Sequence, residues 1–134
     1  MHPRARHLIE TLGLQPHPEG GWYRQVFKSE ARVTRHADGA DRSALTTIYF
    51  LLVEGTWSAW HRVQSDEVWH FYEGDPLELL TPETTTRLDP DHRIHVIPAN
   101  EWQAARPLGA YTLVGCTVGP GFEFGDFEMR AGEI

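Results

Sequence analysis

A chain of 134 residues with a formal charge of −7 is sized for one domain and poorly suited to nucleic acid, whose phosphates are bound by Lys and Arg. The single cysteine, Cys116, excludes an internal disulfide and a cysteine zinc cluster. The opening MHPRARHLIETLG lacks the apolar run of a signal peptide, and no stretch approaches about 18 apolar residues, so the expectation is a soluble, cytoplasmic protein without a membrane partner.

In chain order, Leu8, Ile9 and Leu12 share one side of a helical wheel and Gly13 is a natural stop. This predicts a short helix from about Arg4 to Leu12. QPHPEGG follows and reads as a loop. Gly20 and Gly21 within it permit a tight turn, but there is no lysine or following helix to make a phosphate cradle. From here the pattern is strand. WYRQVF (22–27) is aromatic and β-branched, while ARVTRHADGADRS (31–43) is polar around a D-G step and reads as a long turn or surface loop. SALTTIYFLLV (43–53) is almost continuously apolar, as in a strand buried on both faces. TWSAWHRV, a QSD turn and EVWHFY come next, then LELLTP and a polar connection over 85–92. RIHVIP and WQAA are short strands, YTLVGCTV (111–118) is a clear one, and FEFGDFEM closes the chain as an edge strand with a wet acidic face. Turn signals recur about every 8 to 12 residues, which favours an all-β sandwich or barrel. Residues 1–134 then form a single domain.

Side chains alternate along a strand. Trp57, Ala59, His61 and Val63 fall on one face of the first strand of the pair, and Ser58, Trp60 and Arg62 on the other. Glu67, Trp69 and Phe71 share a face of the second, with Val68, His70 and Tyr72 opposite. A three-residue turn lets the two strands pair as a hairpin, so that His61 and Glu67 point into one cavity and His70 does not. An imidazole and a carboxylate converging there can hold a divalent metal, or act as an acid–base pair, or satisfy one another structurally.

The spacing Gly55-x5-His61-x-Val63-x3-Glu67-x6-Gly74 resembles the first signature of the cupin superfamily, G-x5-H-x-H-x3/4-E-x6-G, with Val63 at the second histidine. Pro98, Asn100, Gln103 and Pro107 occupy the positions of the second signature, P-x-G-x2-H-x3-N. With PHPEGGWYRQ, TTIYFLL, SDEVWHFYEGDPLELL and TLVGCTVGPGFEF, the chain is similar to a small single-domain branch of cupins that is largely uncharacterised. The resemblance implies a double-stranded β-helix, a jelly-roll barrel, with a short N-terminal helix and assembly as a homodimer. It also implies a ligand set of His61, Glu67 and Gln103, with room for Fe, Mn, Ni or Zn, although the two replaced histidines weaken such a site.

Three functional readings stay open. One is an isomerase or epimerase acting on a small, sugar-derived ligand without metal, with His61 as base, Glu67 tuning it and Gln103 binding substrate. This follows the likeness to the nucleotide-sugar epimerases, which share the barrel. The second is a metal-dependent oxygenase or isomerase. The third is a ligand-binding module. Trp57, Trp69 and Phe71 are expected to line the cavity, with Trp60 and Trp102 serving packing or a dimer face. Tyr23, Tyr49 and Glu123 are candidates for a second acid, and Arg24 for an anionic substrate group. Glu19 reaches the barrel mouth in this reading. His17, on the loop before the first strand, and His95 are more readily surface histidines than site residues. Cys116 is a small buried strand residue with no activating base in sequence.

Overall fold

The structure, a computed structural model, describes residues 1–130. Helix α1 spans Pro3–Leu12. Proline in its first turn needs no N–H partner, the His2 side chain accepts the Arg4 N–H, and Gly13 ends the helix in the left-handed region at φ 65°. The helix agrees with the sequence expectation almost to the residue.

Thirteen strands follow: β1 (Gln15–Pro16), β2 (Trp22–Lys28), β3 (Arg32–Thr34), β4 (Asp41–Ser43), β5 (Thr46–Val53), β6 (Ser58–Arg62), β7 (Asp66–Gly74), β8 (Leu77–Leu80), β9 (Thr85–Leu88), β10 (Ile94–Ile97), β11 (Gln103–Pro107), β12 (Tyr111–Gly119) and β13 (Glu128–Met129). They form a six-stranded sheet in the order β1-β2-β5-β12-β7-β10 and a five-stranded sheet in the order β13-β6-β11-β8-β9, with β3 and β4 a separate hairpin. All pairings are antiparallel. The expected all-β jelly roll with one short helix is the fold observed.

Strand β5 shows why the hydrophobic run is continuous. Phe50 and Leu52 point between the sheets into a core with Trp69, Phe71, Leu77, Leu79, Leu88 and Val114. Leu51 and Val53 point outward, where Ala5 and Leu8 of α1 cover them. Alternation is lost because both faces are covered.

Four local expectations are corrected. The segment 31–43 is a β-hairpin rather than a loop, and 85–88 is a strand pairing with β8. Strands β6 and β7 do not form a hairpin: β6 pairs with β11 and β13, and β7 with β10 and β12, so the short turn between them carries the chain from one sheet to the other. The tail FEFGDFEM is not one edge strand. It holds a 3-10 turn, Phe124–Asp126, before the two residues of β13. Its Asp126 is buried and is gripped by Arg35 at 2.8 Å and Arg42 at 2.8 Å. The acid is therefore an anchor that fixes the segment to the β3–β4 hairpin, not a wet face.

Candidate active site between the two sheets

Because β6 and β7 belong to opposing sheets, His61 and Glu67 approach one cavity from its two walls. The cavity has a volume of about 140 Å³. His17, Glu19, His61 and Glu67 supply its ionisable groups, and Phe122, Phe124 and Phe127 of the anchored tail supply much of its apolar wall. Val63 lines it where the second histidine of the cupin signature would stand. None of the described residues lining it is a lysine or arginine.

His61 is 2 % exposed and its ring lies on Phe127, centroids 5.5 Å apart and planes at 29°. Its Nδ1 sits 2.7 Å from the Ala59 carbonyl oxygen. A carbonyl only accepts, so Nδ1 carries the proton and Nε2 is left as a lone pair. A β-bulge makes this possible. Against β11, Gln103 faces His61 and Ala105 faces Ser58, so β6 uses three steps where β11 uses two. The bulge puts Ser58 on the same side as His61, 3.5 Å from its Nδ1, contrary to strict alternation. It also leaves Trp57 off the cavity, where its carbonyl instead backs Gly20.

The carboxyl touching His61 is Glu19, not Glu67. Glu19 Oε2 lies 3.3 Å from His61 Nδ1 and accepts the Ser58 hydroxyl, while Oε1 lies 3.3 Å from His17 Nδ1. His17 Nδ1 in turn accepts the Glu19 backbone N–H at 3.1 Å, so the neutral ring bears its proton on Nε2. His17 is held edge-on to Tyr23, with ring centroids 4.5 Å apart. The loop reaches this depth because Gly20 and Gly21 have positive φ, and a Cβ on either would collide with Trp57 or Leu51 backbone. His17 and Glu19 were the residues the sequence undervalued. The signal was the pair of glycines beside them, which marks close approach of backbone to backbone.

Glu67 is tied elsewhere. Gln103 Nε2 donates to Glu67 Oε1 at 2.7 Å, and Gln103 Oε1 accepts the Trp69 indole N–H at 2.9 Å. Gln103 is thus a buried link behind the cavity wall, not a substrate-binding or metal-binding oxygen. The expected donor set of His61, Glu67 and Gln103 does not fit a metal: the amide oxygen is used by Trp69, and valine fills a ligand position. Among the described residues no group of three His, Cys, Asp or Glu is arranged to hold an ion.

Burial sets the protonation states. It lowers His17 to about 4, helped by His61, and raises Glu19 to about 8 against the opposing Ser58 hydrogen bond. Burial also lowers His61, opposed by the field of Glu67, and raises Glu67, opposed by His61. The close His–Glu contacts are therefore contacts between neutral partners near pH 7 rather than ion pairs. The Cys116 thiol, on the cavity wall, is pushed well above its usual range by burial and the nearby carboxyls, which keeps it in the thiol form.

Of the other expected site residues, Tyr23 lines the cavity. Trp69 and Phe71 are core. Arg24 points to the outside, donating to the Leu12 carbonyl oxygen at 3.2 Å, and Tyr49 packs beneath α1. Glu123 faces Arg42 at 3.6 Å. Six expected site residues (Trp57, Trp69, Phe71, Arg24, Tyr49 and Glu123) do not line the cavity: Trp69 and Phe71 take the inner face that alternation expects but fill the core beside the cavity, while Tyr49 and Glu123 were chosen by type, which does not report which side of a sheet a side chain takes. His70 stacks on Tyr72 away from the cavity, as its parity requires, and His95 lies beside His92. Trp60 and Trp102 hold Arg130 between them on the outer side of the smaller sheet.

The chain matches the family described as Cupin superfamily (DUF985) over residues 6–130. No curated protein matches it. A hypothetical protein from Leishmania major is 32% identical, with a TM-score of 0.85 over 95% of this chain and 87% of that one. A protein from Shewanella oneidensis is 33% identical, with a TM-score of 0.82 over 95% of this chain and 84% of that one. An uncharacterised conserved protein from Klebsiella pneumoniae with a double-stranded β-helix domain shares the fold at 13% identity, with a TM-score of 0.65 over 89% of this chain and 91% of that one. Since the family match runs through both walls of the barrel and the His61–Glu67 spacing within it, the chain belongs to the cupin superfamily.

Proposed function

We propose that the protein is a small-molecule enzyme of the isomerase or epimerase kind, moving protons with side chains rather than through a metal. The observation that carries this reading is the pinned tautomer of His61: its Nδ1–H is held by the Ala59 carbonyl oxygen, so Nε2 is an unprotonated base in a cavity lined by no lysine or arginine among the described residues. A base of this type contributes about 10²- to 10⁴-fold to a proton transfer. Its low basicity limits it to protons made acidic by a neighbouring carbonyl. The cavity size supports a guest of about six to eight heavy atoms, since a cavity of about 150 Å³ holds benzene. The lack of a lining cation argues against a nucleotide diphosphate as part of that guest.

The test is deuterium wash-in. Small neutral hydroxyketones and hydroxyaldehydes are incubated with the protein in heavy water, and loss of the α C–H signal is followed by proton NMR. The wild type should catalyse exchange, before and after chelator treatment, and His61→Asn should lose it by at least about 100-fold. Binding with no exchange would leave a ligand-binding module and sink the enzyme reading. Exchange that vanishes with chelator and returns with metal would sink the side-chain mechanism.

A further inference from the structure

Among the described residues Glu19 is the one whose side-chain oxygens reach both cavity histidines, and it does so with different oxygens. Oε1 stands 3.3 Å from His17 Nδ1 and Oε2 stands 3.3 Å from His61 Nδ1. The two rings are also in opposite tautomers. The Ala59 carbonyl forces the proton onto Nδ1 of His61, and the Glu19 backbone N–H forces it onto Nε2 of His17. Both rings line the cavity, and neither Nε2 has a hydrogen-bond partner among the described residues. One ring therefore offers the cavity a lone pair and the other an N–H.

We propose that Glu19 bridges the two imidazoles as a proton relay, so that His61 and His17 can shift a proton from a carbon to an oxygen of one small uncharged α-hydroxycarbonyl compound without creating a charge. The inference rests on the isomerase reading and adds to it the acid, the relay and the substrate class.

The steps balance. His61 Nε2 takes the α-proton, and the C–H electron pair becomes the C=C bond of an enediol. The carbonyl π pair moves to oxygen, which takes the proton from His17 Nε2. His61 Nδ1–H passes its proton to Glu19 Oε2, and Glu19 passes the proton on Oε1 to His17 Nδ1. Every group stays neutral, and each tautomer is reversed only while the enediol exists: the reversed rings give up their bonds to the Ala59 carbonyl and the Glu19 N–H, and the backward step restores them. Running the relay backward at the neighbouring carbon, with His17 Nε2 taking the proton of the other hydroxyl, completes an aldose–ketose type shift. Neutrality matters because an imidazolium here would sit in a buried cavity, where burial disfavours the charged form of both rings. The Ser58 hydroxyl, donating to Oε2, fixes which oxygen carries the proton at rest. Glu67 and Cys116 face the same cavity from the other sheet, where charges on Glu67 and Glu19 oppose one another.

The experiment uses the full chain and two readouts. The first needs no substrate: nitrogen-15 NMR of histidine-labelled protein at neutral pH reads the tautomer of each ring. His61 should be protonated on Nδ1 and His17 on Nε2. Equal tautomers, or a doubly protonated ring, would overturn the relay. E19Q supplies the second. An amide can still donate to His17 Nδ1 and accept from His61 Nδ1–H, but it cannot pass a proton on. The variant should keep both tautomers and bind hydroxyacetone with unchanged affinity, while deuterium wash-in into hydroxyacetone falls at least about 100-fold. Wash-in by E19Q at the wild-type rate would overturn the relay. Opposite tautomers with no wash-in by the wild type would support the bridged arrangement and overturn the isomerase reading beneath it.

Discussion

At the scale of single residues, Gln103 shows how a position can keep its place in a family pattern while changing its work. Its amide is spent in both directions, accepting from Trp69 and donating to Glu67. Removing it strands an indole N–H and a carboxyl in a site that is 1 % exposed at Gln103. Gln103→Leu should therefore cost about 2–5 kcal/mol in urea unfolding, the sum of two orphaned buried groups. A loss under about 1 kcal/mol would mean that neither group needs the amide. The spacing of His61 and Glu67 was legible because the cupin signature fixes both in sequence. Their lack of direct contact was not, because that depends on which sheet each strand joins. Glu19 was hidden for a related reason. A loop residue has no periodicity, and only the backbone clash that demands glycine at 20 and 21 betrays its depth.

At the scale of elements, the tail from Phe122 to Met129 is the piece whose role the sequence concealed. Alternating aromatics and acids look like a half-wet strand, yet the aromatics line the cavity and Asp126 is clamped by two arginines. The clamp holds the Asp126 carboxyl well below the usual carboxylate range, chiefly through the hydrogen bonds from Arg42. It also explains the β3–β4 hairpin, which read as loop because its polar residues serve a buried ion pair rather than a hydrophobic face. Asp126→Asn leaves Arg35, which is 5 % exposed, without its buried counter-charge. The expected cost is about 3–5 kcal/mol for breaking a buried pair from one side. Amide hydrogen exchange should rise first at residues 122–129, before the sheets open. Uniform loosening of the whole barrel would show that the clamp stabilises the fold and not the tail. Because Phe127 is stacked on His61, the same variant should lose wash-in activity more than it loses stability.

At the scale of the whole molecule, four buried ionisable groups in one cavity give the fold a characteristic response to pH. The sheets themselves were legible from turn spacing and the two-faced burial of β5; the electrostatic cost of what they enclose was not, since it depends on depth. Glu19 rises from 4.5 to about 8 on folding, so between those values the folded chain holds a proton that the unfolded chain has released. Stability then falls as pH rises. Glu67, also raised, acts in the same direction. His17 falls from 6.5 to about 4, so between those values the unfolded chain holds the extra proton and stability rises with pH. Below about pH 6.5 the two effects oppose each other and the profile is shallow. Above it the unfolded histidines lose their remaining protons over about one pH unit, and the carboxyls come to dominate the slope. Asp38, lowered to about 2 by Arg35, contributes no slope in this upper window. Urea unfolding should show stability falling between about pH 6.5 and pH 8 by about 1 kcal/mol per pH unit, close to the value for one linked proton. Glu19→Gln should remove most of that decline while leaving the side chain's contacts with both histidines in place. A wild-type profile that is flat or rising over this interval would mean that Glu19 is ionised in the folded barrel, and a carboxylate there would hold His61 as a cation instead of a base.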